Sequence, residues 1–278
     1  MKSKVLVTGG QGYLGICLTD FFQAASLSRR GGGDLLAADV SAYDTIIHCA
    51  AVIDKSGGQG TLCQRANLAL AARIAGLAQP HQTVIYTSTK DVYGIHAERF
   101  QTVPETCPTA YQGQSPYAWS KRLGEDILLA AATQKGFRLG IFRLATVFAP
   151  ATPDNPGGWV SKFAAQLRKG GELHLRWSGQ QVRDILPVGE LGRACQAFIA
   201  SGRQFGLYNV GGGLKNSGTL KEFALMLAEI HRIPSALVQT RPDPVPGDQF
   251  RYISDLTRLR QELDWEPTFD LGGALAMV

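Results

Sequence analysis

Two side chains with complementary chemistry, Tyr117 and Lys121, stand four residues apart at the start of a segment that predicts a helix. Positions i and i+4 of a helix share one face. A phenol has a pKa of about 10 and is a poor base at neutral pH, but a neighbouring ammonium favours the phenolate and lowers that pKa. An ordinary surface pair would show the same spacing. We predict that Tyr117 is a catalytic acid/base and that Lys121 supports it.

Three hydroxyl side chains, Thr87, Ser88 and Thr89, stand at the end of an apolar run that predicts a buried strand over Thr83–Ser88. In parallel sheets, ligands bind outside the carboxyl ends of the strands. A hydroxyl at that position can hydrogen-bond a substrate oxygen and share a proton path with Tyr117. The two motifs together therefore favour a catalytic site over an accidental spacing.

A glycine-rich turn follows the first apolar run of the chain. The segment reads Thr8-Gly9-Gly10-Gln11-Gly12-Tyr13-Leu14-Gly15, between a strand pattern and a helix pattern. Glycine permits a tight turn and a close approach of the backbone to a pyrophosphate, and the helix N-terminus offers free N–H groups to the phosphates. A glycine triplet alone is often a plain turn, but this context favours a dinucleotide. The predicted cofactor-binding residues of the turn are Gly9, Gly12, Tyr13, Leu14 and Gly15.

The second predicted strand bears on the choice between NAD(H) and NADP(H). An acid near its tip would hold a ribose 2′-hydroxyl, whereas arginines would hold a 2′-phosphate. Asp34 and Asp39 both lie near the distance at which an acid could hold that hydroxyl. Asp39 cannot easily end a strand, however, because Thr45 follows too soon and a parallel crossover needs about a dozen residues. We therefore expect a short strand over Ala25–Ser28 and a crossover helix over Asp34–Ala42. Arg29 and Arg30 then stand at the strand's tip and favour NADP(H), whereas the alternative for them is a solvated turn.

The elements that must position these groups alternate between strand and helix patterns. Strands are predicted at Lys4–Thr8, Thr45–Cys49, Thr83–Ser88 and Leu139–Arg143, and helices at Ala66–Ala78 and Tyr117–Thr133. This alternation predicts an α/β protein with a Rossmann-type, doubly wound parallel sheet. We expect residues 1–150, with a contribution from about 188–210, to form the dinucleotide-binding domain. Residues 151–278, where prolines and glycines interrupt shorter elements, would form a smaller C-terminal substrate-binding lobe.

Composition excludes several other classes of protein. Of the 278 residues, 45% are hydrophobic and 18% are charged, which is typical of a globular chain. Apolar runs are too short to span a membrane, and the N-terminus lacks a signal-peptide pattern, so a cytoplasmic location is expected. The net charge of +5 is mild and lysines and arginines do not cluster, so nucleic acid is not an expected partner. The five cysteines are scattered without a CxxC pair, so neither a metal nor a disulfide framework is expected.

Motifs of one protein family are spread over nearly the whole chain. They are Thr8-Gly9 to Gly15, His48-Cys49-Ala50-Ala51, Asn67, Ser88-Thr89 through Tyr93-Gly94, Pro104-Glu105, Tyr117 to Lys121, Arg143, Arg183-Asp184, Asn209-Val210 and Leu263-Asp264-Trp265-Glu266-Pro267. In these motifs the sequence resembles the extended short-chain dehydrogenases/reductases, and among them the NAD-dependent epimerase/dehydratase family, which modifies nucleotide sugars.

The resemblance implies roles for the matching residues. Thr89 would be the catalytic hydroxyl, Tyr117 the acid/base and Lys121 its partner. Further cofactor contacts would come from Ala50, Ala51, Asn67, Thr87, Tyr117 and Lys121. Arg183 resembles the arginine that holds the substrate pyrophosphate, and Arg241 or Arg251 would add a second contact, although surface charge explains these two equally well. The remaining expected substrate contacts are Thr89, Lys90 and Asp91.

Two departures from the family pattern narrow the chemistry. The family's sugar 4,6-dehydratases follow the catalytic threonine with an Asp-Glu pair, whereas this chain has Lys90 and Asp91. The double epimerase-reductases place a cysteine where Asp91 stands. Both activities are therefore disfavoured.

Three hypotheses for function remain. The first is a ketoreductase that acts on a nucleotide-activated keto-sugar with NAD(P)(H), NADP(H) being favoured. The second is a sugar 4-epimerase that holds NAD tightly and oxidises and then reduces one carbon. The third, of a different class, is a non-catalytic NADP(H)-binding sensor or scaffold, which would have no need of Thr89, Tyr117 and Lys121 together. A homodimer is also expected, because Ala66–Ala78 and Leu123–Thr133 carry more apolar residues than one buried stripe needs, although packing inside the sheet layers explains much of this excess.

Overall fold

A computed structural model of the chain describes residues 4–29, 33, 35, 37–53, 60–152, 155, 157–244 and 248–278. The strands are β1 Val5–Thr8, β2 Ala25–Leu27, β3 Thr45–His48, β4 Thr83–Thr89, β5 Arg138–Leu144, β6 Thr146–Phe148, β7 Leu173–Leu175, β8 Val182–Pro187, β9 Phe205–Val210, β10 Ser217–Thr219, β11 Val238–Thr240 and β12 Arg251–Tyr252. The α-helices are α1 Tyr13–Phe22, α2 Gly60–Leu77, α3 Pro116–Lys135, α4 Trp159–Arg168, α5 Val188–Ser201, α6 Leu220–Ile230, α7 Thr257–Leu263 and α8 Leu271–Ala276.

The main sheet has six strands in the order β2-β1-β3-β4-β5-β9, and every neighbouring pair is parallel. The chain leaves β1 toward β2 on one side and returns to β3 on the other. Such a reversal opens a crevice at the carboxyl ends of the strands. The predicted Rossmann-type α/β fold is therefore confirmed.

Strands that are apolar at nearly every position explain why helices cover both faces of this sheet. Val7 and Ile47 face a core formed with α1 and α5, whereas Leu6 and Ile46 face a second core formed with α2 and α3. Adjacent strand residues point to opposite faces, so a strand that is buried on both faces must be apolar at every position. The same pattern made the strands recognisable in the sequence.

The connection between β2 and β3 differs from expectation. The predicted second strand is confirmed as β2, but none of the described residues of the predicted crossover helix Asp34–Ala42 is helical, and Asp34 itself lies outside the described residues. Side chains from elsewhere satisfy the carbonyl groups of this connection instead. Arg73 Nε donates to Leu35 O at 3.3 Å, and Gln82 Nε2 donates to Val40 O at 2.8 Å. A helix was therefore not needed to satisfy the buried backbone.

The later part of the chain builds smaller sheets. β6 and β12 run parallel to β8, and β10 pairs with β8 in the antiparallel sense. Helices α4, α6 and α8 form a core against this region, while α5 and β9 return the chain to the main sheet. None of the helices in the described part of the chain is both long and apolar enough to cross a bilayer.

Candidate active site

A cavity of about 630 Å³ opens at the carboxyl ends of β1, β3 and β4. Most of the predicted cofactor-binding residues line it, namely Gly9, Gly12, Tyr13, Leu14, Gly15, Arg29, Ala50, Ala51, Thr87, Tyr117 and Lys121. Arg30 lies outside the described residues. The cavity is therefore the place where a dinucleotide would fit.

The glycine-rich turn has the shape that a phosphate-binding turn requires. Gly9 has a φ of +75°, and a Cβ there would lie 2.7 Å from Ala50 N. A Cβ on Gly15 would lie 2.1 Å from Gly9 O, so the helix could not pack so closely on the turn. Gly12 is the N-cap of α1, and no side chain caps the helix there. The positive end of α1 thus lies at the cavity, where it suits a phosphate.

The position of Asn67 differs from the predicted one at the cofactor. It does not line the cavity among the described residues, and its side chain is buried. Its amide accepts from Val52 N at 2.8 Å and donates to Ser120 Oγ at 2.9 Å. Asn67 therefore fixes the loop after β3 against α3, and any effect on the cofactor would act through that loop.

The first turns of α3 bring Tyr117 and Lys121 to the cavity. Ser115 caps the helix by accepting a hydrogen bond from Ala118 N at 3.2 Å, and Pro116 occupies the first turn, which tolerates a missing N–H. Lys121 is only 2% exposed, and its Nζ lies 4.7 Å from the centre of the Tyr86 ring. Both predicted catalytic side chains therefore reach the same cavity from one helical face.

The direction expected for the pKa of Tyr117 was wrong. Burial raises the pKa of the Tyr117 phenol above its ordinary value, and Asp91 raises it further. Burial also lowers the pKa of Lys121 to about 8. The physical reason is that a dry site disfavours both charged forms, which outweighs the benefit that an ammonium one turn away would bring to a phenolate.

A buried hydrogen-bond network sets the position of β4 relative to α3. Ser88 Oγ donates to Glu125 Oε1 at 2.5 Å, and Glu125 forms an ion pair with Arg143 of β5 at 2.7 Å. Thr89, the next residue along β4, lines the large cavity and accepts from Asp91 N at 3.2 Å. The network thereby holds the hydroxyl of Thr89 at the cavity to which α3 carries Tyr117.

A second cavity, of about 330 Å³, adjoins the first. The two share Tyr13, Thr89, Ala145 and Val147 in their walls. The residues that line the second cavity but not the first are Lys90, Asp91, Thr146, Gly158, Trp159, Phe163, Arg183, Leu220 and Asp248. A molecule in the second cavity would therefore contact Thr89, which also lines the larger cavity.

The predicted substrate arginines do not all reach this cavity. Arg183 lines it, but its guanidinium already donates to Gln249 O at 2.6 Å and pairs with Asp248 at 3.0 Å. Arg241 is exposed, and Arg251 donates to Gln101 O at 3.4 Å. Neither Arg241 nor Arg251 lines either cavity.

Sequence reasoning missed several residues of the second cavity. Trp159 and Phe163 stand on α4, and Asp248 stands on the loop before β12. An aromatic pair four residues apart was the available signal for α4. The sequence around Asp248 contains no signal that it lines a cavity, because its ion-pair partner Arg183 is distant along the chain. Among the described residues, no group of histidine, cysteine and acidic side chains is placed to hold a metal ion.

Comparison with known proteins gives one family whose model spans most of the chain. The model described as the NAD dependent epimerase/dehydratase family matches residues 5–211. The chain is also 28% identical to a dTDP-glucose 4,6-dehydratase of Streptomyces griseus over 241 residues, which cover 85% of this chain and 71% of that protein.

Two solved structures share the fold over nearly their whole length. MoeE5 in complex with UDP-glucose and NAD has a TM-score of 0.85 at 22% identity, covering 99% of this chain and 96% of that one. UDP-glucose 4-epimerase from Thermotoga maritima with UDP-glucose has a TM-score of 0.84 at 23% identity, with coverage of 99% and 96%.

The buried ammonium of Lys121 yields a prediction about stability. A lysine whose pKa is lower in the folded than in the unfolded state destabilises the fold at low pH, and this penalty disappears as the pH rises from about 8 to 10.5. That interval corresponds to roughly 3 kcal/mol. We expect Lys121→Met to raise the free energy of unfolding of the cofactor-free protein by about 1–3 kcal/mol near pH 7, and by less near pH 9.5. Urea unfolding at both pH values measures this.

The matched control is Lys162→Met, which changes an exposed lysine of α4 and should leave stability nearly unchanged at both pH values. A Lys121→Met protein that is less stable than the wild type near pH 7 would contradict the prediction.

Proposed function

The chain belongs to the NAD-dependent epimerase/dehydratase family, and from this premise we propose that it is a keto-sugar reductase that uses NAD(P)(H) and acts on a nucleotide-activated sugar. The observation that carries the proposal is that Thr89 lines both cavities while Tyr117 and Lys121 line the larger one. A carbonyl oxygen held by Thr89 would then lie at the wall that the two cavities share.

Three side chains of the protein have separate roles in the proposed reduction. When bound, the cofactor supplies the hydride that the carbonyl carbon accepts. Tyr117 donates its proton to the carbonyl oxygen, Thr89 holds that oxygen by a hydrogen bond, and Lys121 holds the cofactor's ribose and supports the phenolate that remains. The carbonyl thus becomes an alcohol, and Tyr117 regains a proton from solvent.

The electrostatics of Tyr117 suit the role of a proton donor. Because burial raises its pKa, the phenol is protonated at neutral pH and ready to act as an acid. Oxidation of an alcohol would require the phenolate first.

A sugar 4-epimerase is the second candidate, because a UDP-glucose 4-epimerase has the same fold and epimerisation uses the same groups. The two candidates differ in how the cofactor is held. An epimerase regenerates its cofactor in every cycle and gains by keeping it bound, whereas a reductase must exchange it. We expect the purified protein to contain little cofactor by absorbance, and a stoichiometric amount of bound NAD would favour the epimerase instead.

The substrate would lie in the second cavity. Its sugar would lie beside Thr89, and its diphosphate would lie near Arg183 and the start of α4, where Gly158 and Trp159 line the wall. Among the described residues, no side chain caps the N-terminus of α4, whose positive end suits an anion. The roles of Lys90 and Asp91 as substrate contacts belong to the same proposal.

A homodimer and the domain division at about residue 150 remain proposals, as does a cytoplasmic location. The helices α2 and α3 pack against each other and leave Leu62 and Leu129 exposed, at 62% and 39%. These exposed apolar side chains support a contact with a second copy.

Loss of the phenolic hydroxyl tests the catalytic assignment. We expect Tyr117→Phe to reduce turnover of a keto-sugar substrate by about a hundredfold or more, because the proton donor is removed while the ring still fills its space. Cofactor binding and the thermal unfolding midpoint should change little. Tyr111→Phe is the control, since Tyr111 is 59% exposed and lines neither cavity. Near-normal turnover by Tyr117→Phe would exclude the proposed role.

Arg29 provides the test of cofactor choice. It lines the cavity beside Ser28, and no acidic residue is among the described residues of that wall. We therefore expect tighter binding of NADPH than of NADH, and a loss of about tenfold to a hundredfold in NADPH affinity in Arg29→Ala, with NADH affinity nearly unchanged. Titration calorimetry measures both, and Arg65→Ala on α2 is the control. A wild-type preference for NADH, the form related to the NAD in the MoeE5 complex, would overturn NADP(H) as the cofactor.

A further inference from the structure

The wall of the second cavity beside the catalytic hydroxyl carries a buried ion pair. Lys90 and Asp91 directly follow Thr89, and all three line this cavity. Lys90 Nζ lies 2.6 Å from Asp91 Oδ1, and the two side chains are 8% and 15% exposed. Whatever sugar carbon is held at Thr89, the substituents of its neighbouring carbons lie close to this pair.

The ammonium of Lys90 is engaged within the protein. Besides Asp91, it donates to Gln249 Oε1 at 2.7 Å, and it lies 5.5 Å from the centre of the Tyr252 ring. Gln249 is itself held, since its Nε2 donates to Gly94 O at 2.8 Å. Lys90 therefore binds Asp91 and the loop before β12, and its positive charge at the cavity is compensated by Asp91.

The other charges of this wall are balanced in the same way. Arg183 pairs with Asp248 at 3.0 Å, and it is only 5% exposed. The described residues that line the cavity thus carry two cations and two anions, each cation paired with an anion. A carboxylate that entered beside Thr89 would lose its water, would find its potential partner already paired, and would face Asp91. Burial of such an unpaired charge is strongly unfavourable.

The rest of the wall suits an uncharged ring. Trp159 and Phe163 offer aromatic faces, and Thr146 and Asp91 offer hydrogen-bonding groups. Apolar surface with a few convergent polar groups is typical of sites that bind small neutral molecules with hydroxyl groups.

We propose that the sugar ring accepted beside Thr89 is uncharged, a hexose and not a hexuronate, and that Asp91 is the residue that sets this specificity by occupying Lys90. This inference rests on the proposed function, because it concerns the sugar part of a nucleotide sugar. It goes beyond that function by excluding the uronic acids and by naming the residue responsible.

The experiment compares two ligands that differ in one group. Titration calorimetry on cofactor-saturated protein would measure the affinities for UDP-glucose and for UDP-glucuronic acid, with dTDP-glucose as a check on the base. We expect the wild type to bind UDP-glucose at least tenfold more tightly than UDP-glucuronic acid. In Asp91→Asn, which keeps the shape of the side chain and leaves the Lys90 ammonium without its counter-ion, we expect that ratio to fall at least tenfold.

Two further variants complete the design. Asp126→Asn changes a largely exposed acid of α3 that pairs with Arg122, and it should keep the wild-type ratio. Asp248→Asn removes the other anion that interacts with Lys90, so the charge of that ammonium is less compensated and the ratio should shift in the same direction as in Asp91→Asn. Because the Asp248 side chain is 38% exposed, this variant remains informative if Asp91→Asn does not fold. Thermal unfolding midpoints identify the folded variants.

The outcomes separate the two proposals. A wild type that binds UDP-glucuronic acid as tightly as UDP-glucose overturns the inference and leaves the proposed function standing. The inference is also overturned, and the proposed function left standing, if Asp91→Asn folds and keeps the wild-type ratio. Where Asp91→Asn does not fold, an Asp248→Asn protein with the wild-type ratio has the same consequence. If glucose linked to UDP, dTDP, CDP, GDP or ADP fails to bind in every case, the proposed function fails, and the inference falls with it.

Discussion

A buried ion pair between Glu125 of α3 and Arg143 of β5 is the contact on which the candidate site depends. Tyr117, Lys121 and Glu125 follow each other at intervals of four residues, so they form one stripe along α3. Glu125 anchors the end of this stripe to the sheet, and through Ser88 it also holds the end of β4. Buried ion pairs contribute little net stability, but loss of one partner is costly, so the pair enforces one arrangement of helix and sheet.

Burial of the site also determines the protonation states of its ionisable side chains. Burial keeps the phenol of Tyr117 protonated and weakens the preference of Lys121 for its charged form. The protein therefore places a protonated phenol and an ammonium with a lowered pKa beside the larger cavity. This arrangement reduces the stability of the fold. Such costs are common at functional sites, where groups are placed for chemistry and not for folding.

The two cavities differ in what they offer a ligand. The larger one is lined by a glycine turn and an uncapped helix N-terminus, which suit phosphates. The smaller one carries paired charges and aromatic faces. Gln249 connects the two ion pairs of the smaller cavity, because its side chain accepts from Lys90 and its carbonyl group accepts from Arg183. The loop before β12 is thereby tied to the segment that follows the catalytic hydroxyl.

The sequence alone determined the features that depend on neighbours along the chain. The glycine spacing predicted the turn before α1, alternating apolar runs predicted the strands, and the interval between Tyr117 and Lys121 placed both on one helical face. These are local properties, because a turn, a strand and one face of a helix are each defined within a few residues.

Contacts between distant segments, and the burial of the groups that meet there, followed from the packing of the whole chain. Where a helix was predicted after Asp34, the described backbone is held instead by hydrogen bonds from Arg73 and Gln82. The side-chain amide of Asn67, which was predicted to contact the cofactor, hydrogen-bonds the loop after β3. The tertiary structure also paired Arg183 with Asp248 and reversed the expected direction of the pKa of Tyr117. Each of these outcomes depends on packing between segments far apart in the chain, and spacing along the chain carries no information about burial or about the partners that packing supplies.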